Sequence, residues 1–186
     1  MSFSQEIIHW YQANKRSLPW RETKDPYHIW LSEIILQQTR VAQGTPYYVK
    51  FTDAFPTVFD LAAAPEEQVL KLWQGLGYYS RARNLHAAAQ YVVNELNGVF
   101  PANYKALLQL KGVGDYTASA IASICFNSPE AVLDGNVYRV LSRYFGIDVP
   151  VNTTEGARLF KAIALDQLDL ANPSDYNQAI MEFGAL

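Results

Sequence analysis

Residues 107–122 read Leu-Leu-Gln-Leu-Lys-Gly-Val-Gly-Asp-Tyr-Thr-Ala-Ser-Ala-Ile-Ala, two apolar runs of helical spacing joined by a Gly-Val-Gly turn. The glycines at 112 and 114 permit positive φ and allow another molecule to approach the backbone closely. A helix that begins just after such a turn directs free N–H groups and the positive end of its dipole outward. Helices paired in this way can bind one phosphate of a DNA backbone. An ordinary tight turn between packed helices explains the stretch equally well, so the rest of the sequence must decide.

The composition indicates a cytoplasmic globular chain. Its 186 residues are 49% hydrophobic, enough for one large domain or two small ones, and no apolar run approaches the ~20 residues of a membrane helix. The first residues lack the basic segment of a secretory signal. The only cysteine, Cys125, excludes an internal disulfide, and the three histidines show no metal-ligand spacing. We therefore expect no metal site in this chain.

The charge distribution argues against DNA binding by bulk electrostatics. The net charge is −3, and residues 144–186 carry six acids against two bases. If the chain binds DNA, backbone amides and local Arg or Lys side chains must supply the contacts.

Apolar spacing predicts helices along nearly the whole chain. Asp25-Pro26 is a helix start, Ser80 is placed to cap a long helix, and Asn97-Gly98 is placed to end it. Asn152 followed by Glu155 predicts a capping box, and Pro46 is placed near the start of another helix. Strand-like alternation is absent, so we predict an all-α protein.

Two carboxylates stand out as candidates for chemistry. Glu33 lies in an otherwise apolar helix with Ile29, Trp30 and Leu36 on its side, where partial desolvation raises a carboxyl pKa and suits a general acid. A half-exposed glutamate at a helix edge is the alternative. Asp134, before Gly135 at a helix entrance, reads by itself as an N-cap. It gains interest beside Glu33 because glycosidic cleavage uses two carboxylates.

Two further segments carry side chains typical of nucleic-acid contacts. Gln37-Gln38 offers paired amides, and residues 75–83 place aromatic rings and two arginines around a glycine-rich turn. Such wedges fill the gap when a base leaves the stack, and arginine binds phosphate. For Tyr79, a core tyrosine at a helix crossing is the better interpretation.

Taken in order, these segments closely resemble the catalytic domain of adenine DNA glycosylases, base-excision enzymes that remove adenine mispaired with 8-oxoguanine. The resemblance covers nearly the whole chain and rests on six motifs in register. They are Leu18-Pro19-Trp20-Arg21, residues 30–39, Gly75-Leu76-Gly77-Tyr78-Tyr79, the Gly112-Val113-Gly114 hairpin, Leu133-Asp134-Gly135-Asn136-Val137, and Asn177-Gln178-Ala179.

The resemblance implies a helix-hairpin-helix DNA glycosylase fold with two helical lobes and a cleft between them. We divide the chain into residues 1–22, a helix and loop packing with the C-terminal lobe; residues 23–132, a six-helix lobe containing the helix-hairpin-helix at about 104–125; and residues 133–186, an incomplete second lobe.

The resemblance also implies site residues. Glu33 matches the acid that protonates adenine, and Asp134 matches the carboxylate that stabilises the cationic sugar. Asn136 and Tyr116 match positions near the reaction centre. The adenine pocket is implied at Trp20, Arg21, Leu36 and Gln178; DNA contacts are implied at Gln38, Tyr78, Arg81, Gly112, Val113, Gly114 and Thr117.

Three departures from the family pattern stand out. Lys111 replaces the usual proline, Asp115 adds a negative charge near the expected phosphate site, and Tyr138 stands where some members carry lysine. The family also continues with four cysteines that hold a [4Fe–4S] cluster, then a domain that reads 8-oxoguanine. We therefore expect a chain cut before its cluster, with weak or absent activity alone. The expected partner is double-stranded DNA with an A·8-oxoguanine mispair, bound by a monomer.

Two other function classes remain open. An endonuclease III-like pyrimidine glycosylase and lyase requires a lysine nucleophile just after the hairpin glycines, where this chain has Tyr116. A non-catalytic helix-hairpin-helix DNA-binding module leaves Glu33, Trp20-Arg21 and Gln178 without a shared purpose. A mismatch thymine glycosylase is a minor alternative.

Overall fold

The structure, a computed structural model, describes residues 2–186, and all regular elements in that range are helical. The all-α prediction is therefore confirmed. The α-helices are α1 (Phe3–Asn14), α2 (Pro26–Leu36), α3 (Val41–Ala54), α4 (Val58–Ala63), α5 (Glu66–Trp73), α6 (Ser80–Leu96), α7 (Tyr104–Leu107), α8 (Asp115–Phe126), α9 (Gly135–Phe145), α10 (Thr154–Asp166) and α11 (Pro173–Ala185), with a 3₁₀ turn at Pro19–Arg21. No helix within residues 2–186 is long and apolar enough to cross a membrane.

The chain forms two compact units. One consists of residues up to Ser17 together with Ser119–Leu186, and the other is Leu18–Ala118. The boundaries that we placed after residues 22 and 132 lie further along the chain, and that division remains a prediction.

In the Leu18–Ala118 unit, α2 packs against α3, α6 and the 3₁₀ turn. Asp25 caps it by accepting a hydrogen bond from the Tyr27 amide at 2.9 Å, and Pro26 occupies the first helical position. Its Trp30 and Ile35 side chains are fully buried. A helix that is apolar on nearly every side is a core helix, so α2 provides a rigid base for the polar side chains that it carries.

In the other unit, α11 packs against both α1 and α9. Glu182 of α11 is 1% exposed and accepts three hydrogen bonds from Arg16 among the described residues: two from the guanidinium at 2.6 and 2.7 Å and one from the backbone amide at 3.0 Å. This bidentate pair raises the pKa of Arg16 and attaches the segment after α1 to the last helix.

Several helix boundaries differ from those expected. Pro46 lies inside α3, where it is exposed to solvent and water can reach the freed carbonyl of the preceding turn. Ser80 is the first residue of α6 rather than its cap, and Tyr79 takes the cap position without a side-chain bond. Thr153, not Asn152, caps α10 by accepting from the Gly156 amide. The expected end of α6 is confirmed, since Asn97 and Gly98 both have positive φ.

Candidate functional site

The glycine-rich turn joins α7 to α8 as a helix-hairpin-helix. Gly112 has φ +81°, and a Cβ there would lie 3.0 Å from the Cβ of Asn84. Gly114 has no positive φ, and an added Cβ would meet nothing within 4 Å. The two glycines therefore differ: Gly112 is required by the turn, whereas Gly114 leaves the first turn of α8 open to approach.

The start of α8 places its side chains in different environments. The Asp115 carboxylate accepts a hydrogen bond from the hydroxyl of Tyr104, a residue of α7, so that contact occupies one of its oxygens. Thr117 is 2% exposed, and its hydroxyl accepts a long hydrogen bond of 3.4 Å from the Gln37 side chain. Val113 is also buried, and Tyr116 is half-buried. The Val113 and Thr117 side chains are therefore closed to solvent, and a helix start such as this one leaves its first backbone amides without intrahelical partners.

Two exposed residues with positive φ follow α2 and α5. Gln38, two residues after α2, has φ +57°; Tyr78, just before α6, has φ +46° and is 70% exposed. A side chain in the left-handed region costs about 1–3 kcal/mol and persists where surrounding structure fixes it. These two positions therefore present strained, well-defined side chains to solvent.

Arg81 connects the two segments that carry these residues. One terminal nitrogen of its guanidinium lies within 3.3 Å of the carbonyls of Ile34, Ile35 and Gln37. The other terminal nitrogen donates to the carbonyls of Leu76 and Gly77, each at 3.3 Å. We expected phosphate contacts from Arg81, and both of its terminal nitrogens bond to backbone carbonyls. Burial lowers its pKa.

Glu33 projects from the middle of α2. It is half-buried, while its neighbours Ser32 and Ile34 are 1% and 3% exposed. The apolar surroundings inferred from the sequence are therefore present on this helix. Glu33 belongs to the Leu18–Ala118 unit, and Asp134 belongs to the other unit.

Asp134 caps α9 and is fixed through both carboxylate oxygens. Oδ1 accepts from the Val137 amide at 2.8 Å, and Oδ2 accepts from the Asn136 side chain at 3.0 Å. Asn136 in turn accepts from the Arg139 guanidinium at 3.2 Å. The interpretation as an N-cap is confirmed, and the cap orients the carboxylate.

Two residues that the sequence did not single out support the Asp134 turn. Asn177 of α11 is completely buried; its side chain donates to the Glu130 carbonyl at 2.7 Å and accepts from the Val132 amide at 3.3 Å. Gly184 lies so close to α9 that an added Cβ would be 2.5 Å from the Asn136 carbonyl oxygen. Asn177 belongs to the Asn177-Gln178-Ala179 motif, which was its only signal in the sequence. No sequence feature indicated a role for Gly184.

The four residues assigned to an adenine pocket are not equally exposed. Trp20 is 8% exposed and packs edge-on against Tyr48, with ring centroids 5.3 Å apart. Arg21, Leu36 and Gln178 are half-buried, and Gln178 accepts a long 3.5 Å hydrogen bond from the Tyr11 hydroxyl.

An iron–sulfur cluster does not fit the residues described. Such a cluster needs several cysteine thiolates, and Cys125 is the only cysteine of the sequence. Within residues 2–186 no group of three His, Cys, Asp or Glu side chains is placed to hold a metal ion. No chemistry is therefore assigned to a cluster in this chain.

Comparison with known proteins gives consistent relatives. The chain is 42% identical to the adenine DNA glycosylase of Buchnera aphidicola subsp. Baizongia pistaciae, over 99% of this chain and 52% of that protein. It is 44% identical to the human adenine DNA glycosylase, over 99% of this chain and 35% of that protein. The chain thus spans about half the length, or less, of these curated relatives.

Solved structures agree on the fold. A thermostable thymine-DNA glycosylase matches with a TM-score of 0.89 and 31% identity, over 99% of this chain and 85% of that one. A non-covalent endonuclease III–DNA complex matches with a TM-score of 0.80 over 97% of this chain and 81% of that one; at 19% identity it shows the fold alone. The expected helix-hairpin-helix glycosylase fold is confirmed. The family model described as HhH-GPD superfamily base excision DNA repair protein matches residues 31–163, well over half of the sequence, and the chain belongs to that family.

Proposed function

We propose that the protein containing this chain is a monofunctional adenine DNA glycosylase. It hydrolyses the N-glycosidic bond of adenine mispaired with 8-oxoguanine or guanine in duplex DNA. One observation carries the proposal: the chain is 35–44% identical to adenine DNA glycosylases over nearly its whole length. The proposed protein acts as a monomer, in the cytoplasm. Its [4Fe–4S] cluster belongs to the full-length protein rather than to this chain.

Glu33 is the proposed general acid. Its half-buried position on an apolar helix suits a carboxyl that holds a proton for transfer. It protonates a ring nitrogen of adenine, the bond from the sugar C1′ to N9 breaks, and adenine leaves with that proton. Glu33 then accepts a proton from the water whose oxygen bonds to C1′, which restores the carboxylic acid.

Asp134 is the proposed partner of the cationic sugar. Once the base departs, positive charge spreads over C1′ and the ring oxygen, and a fixed carboxylate stabilises this charge. The hydrogen bonds from Val137 and Asn136 fix the orientation of that carboxylate, so it does not need to reorient during the reaction. Tyr116 and Asn136 are proposed to lie near the reacting atoms, and Tyr116 offers no amine for a covalent lyase intermediate.

Recognition is proposed to use a pocket and three DNA contacts. Trp20, Arg21, Leu36 and Gln178 accommodate the extrahelical adenine, which requires apolar walls with few polar groups. Backbone amides around Gly112, Val113, Gly114 and Thr117 bind a phosphate, and the openness at Gly114 supports this. Gln38 and Tyr78 enter the duplex, which their exposure and fixed backbone support.

Substitution of Glu33 by glutamine in the full-length protein tests the proposal. Single-turnover release of adenine from an A·8-oxoguanine duplex should fall by at least about 100-fold, the usual contribution of a general acid, while duplex binding is retained. Glu67→Gln on the exposed side of α5 is the matched control and should leave release unchanged. Full adenine excision by the Glu33→Gln protein would show that Glu33 is not the general acid.

A thymine mismatch glycosylase is the second candidate, because the thermostable thymine-DNA glycosylase matches with a TM-score of 0.89. Parallel assays with A·8-oxoguanine, T·G and oxidised-pyrimidine duplexes discriminate among the candidates. Release of thymine without release of adenine would favour the second candidate. Borohydride trapping of a covalent DNA complex would favour a lyase instead.

A further inference from the structure

The environment of Arg81 differs from that of a phosphate-binding side chain. Its two terminal guanidinium nitrogens carry four hydrogens and face five carbonyl oxygens of residues 34–77. The guanidinium carbon also lies 5.0 Å from the Trp73 ring centroid and 5.9 Å from the Tyr78 ring centroid. Its terminal hydrogens are therefore directed at the protein, and the guanidinium lies beside two rings and the backbone.

The bonded carbonyls come from two separate segments. Those of Ile34, Ile35 and Gln37 belong to the end of α2, where a helix leaves its last carbonyls without intrahelical partners. Those of Leu76 and Gly77 belong to the turn between α5 and α6. One guanidinium group thus bonds to carbonyls of two backbone segments at the same time.

Each bonded segment leads directly to a residue of positive φ. The Gln37 carbonyl precedes Gln38, and the Gly77 carbonyl precedes Tyr78. A left-handed non-glycine residue relaxes unless its neighbours hold it. Arg81 supplies that restraint by donating hydrogen bonds to both segments.

We propose that Arg81 is a positioning residue for duplex insertion: its guanidinium sets the spacing and backbone conformation of Gln38 and Tyr78, so that the two enter the helix together. The inference rests on the proposed function, which has these two side chains inserted beside the mispair. It replaces the phosphate contact expected from the sequence.

Lysine at this position separates the two roles. Arg81→Lys keeps the positive charge but replaces a rigid planar fork by a single ammonium, which cannot reach both segments in the same way. A positioning role predicts a loss of mispair preference, whereas a phosphate role predicts that most affinity is kept. Arg83→Lys is the matched control, because Arg83 is exposed on the same helix and pairs loosely with Glu66 at 3.8 Å.

The experiment measures, in the full-length protein, the affinity for an A·8-oxoguanine duplex relative to a fully paired duplex, at several salt concentrations. The ratio is insensitive to an unfolded fraction, which lowers both affinities equally. For Arg81→Lys we expect the ratio to fall about tenfold, with an unchanged slope of log affinity against log salt. An unchanged ratio overturns the proposal. A slope reduced by about one in Arg81→Gln also overturns it, because that change is the signature of a lost phosphate contact.

A mutant cycle provides the second measurement. When Gln38 and Tyr78 are both alanine, Arg81→Lys should have no further effect on the ratio, because nothing remains to be positioned. An additive effect contradicts the proposal. If Arg81→Lys does not fold, the same cycle is run with Arg81→Gln. Absence of adenine release by the wild-type protein would instead refute the proposed function, which distinguishes the two failures.

Discussion

Replacement of Asn177 by alanine should be among the most destabilising single changes in the last helix. The side chain is completely buried and bonds, within the described chain, to the Ser123 hydroxyl at 2.8 Å, the Glu130 carbonyl at 2.7 Å and the Val132 amide at 3.3 Å. Ser123 keeps a bond of its own to the Ser119 carbonyl at 2.8 Å. The cost of the change therefore comes mainly from the two backbone groups left without a partner.

The magnitude follows from those two groups. An unsatisfied buried polar group costs about 1–3 kcal/mol. The Glu130 bond is short and the Val132 bond is long, so we take about 2 kcal/mol for the first and about 1 for the second. The expected loss is about 3 kcal/mol, or about 6–12 °C in Tm for a protein of this size.

Thermal and urea unfolding of Asn177→Ala against wild type measures this loss. Ser123→Ala is the matched control: it leaves Glu130 and Val132 paired but leaves one N–H of the buried Asn177 amide without a partner. We therefore expect a cost of about 1–2 kcal/mol, below the loss in Asn177→Ala. Equal losses in the two variants would show that the backbone contacts do not carry the stability. A loss below about 1 kcal/mol in Asn177→Ala would refute the reasoning altogether.

The two hairpin glycines should respond differently to alanine. Gly114→Ala should leave Tm unchanged, because the added Cβ meets nothing within 4 Å, but it should weaken duplex binding in a fluorescence titration if a phosphate occupies that space. Gly112→Ala should lower Tm, because φ is +81° there. Unchanged duplex binding by Gly114→Ala would show that no phosphate binds at this turn. Stability should also fall as pH rises above about 10: burial raises the pKa of Tyr48 to about 12 and raises those of Tyr27 and Tyr176, so the unfolded chain releases these protons first. With three such groups the free energy of unfolding falls by about 4 kcal/mol per pH unit, and the fall should be smaller in Tyr48→Phe. A urea midpoint that stays constant up to about pH 11.5 would contradict this expectation.

Local features were predictable from the sequence. Asp25-Pro26 starts a helix and Asn97-Gly98 ends one because the determining contacts lie within a few residues. The half-buried state of Glu33 followed from its apolar neighbours on the same helix. Asp134 was recognisable as a cap for the same local reason.

Long-range features were not predictable. The carbonyls bonded by Arg81 at the end of α2 lie 44–47 residues away, and the groups bonded by Asn177 lie 45–54 residues away. An arginine near aromatic residues is equally consistent with phosphate binding, and only the folded structure shows which acceptors it bonds. The proximity of Gly184 to Asn136 left no trace in local sequence, since a glycine late in a helix has several ordinary explanations.

In the proposed mechanism, Asp134 meets two requirements that are usually met by different amino acids. The entrance of α9 requires a short side chain that can accept from a backbone amide, which serine, threonine, asparagine and aspartate provide. Stabilising a cationic sugar requires a negative charge, which aspartate and glutamate provide. Aspartate is the single residue common to both sets. Under the proposed function, folding and chemistry thus impose separate requirements at one position, and a substitution that meets only one of them fails the other.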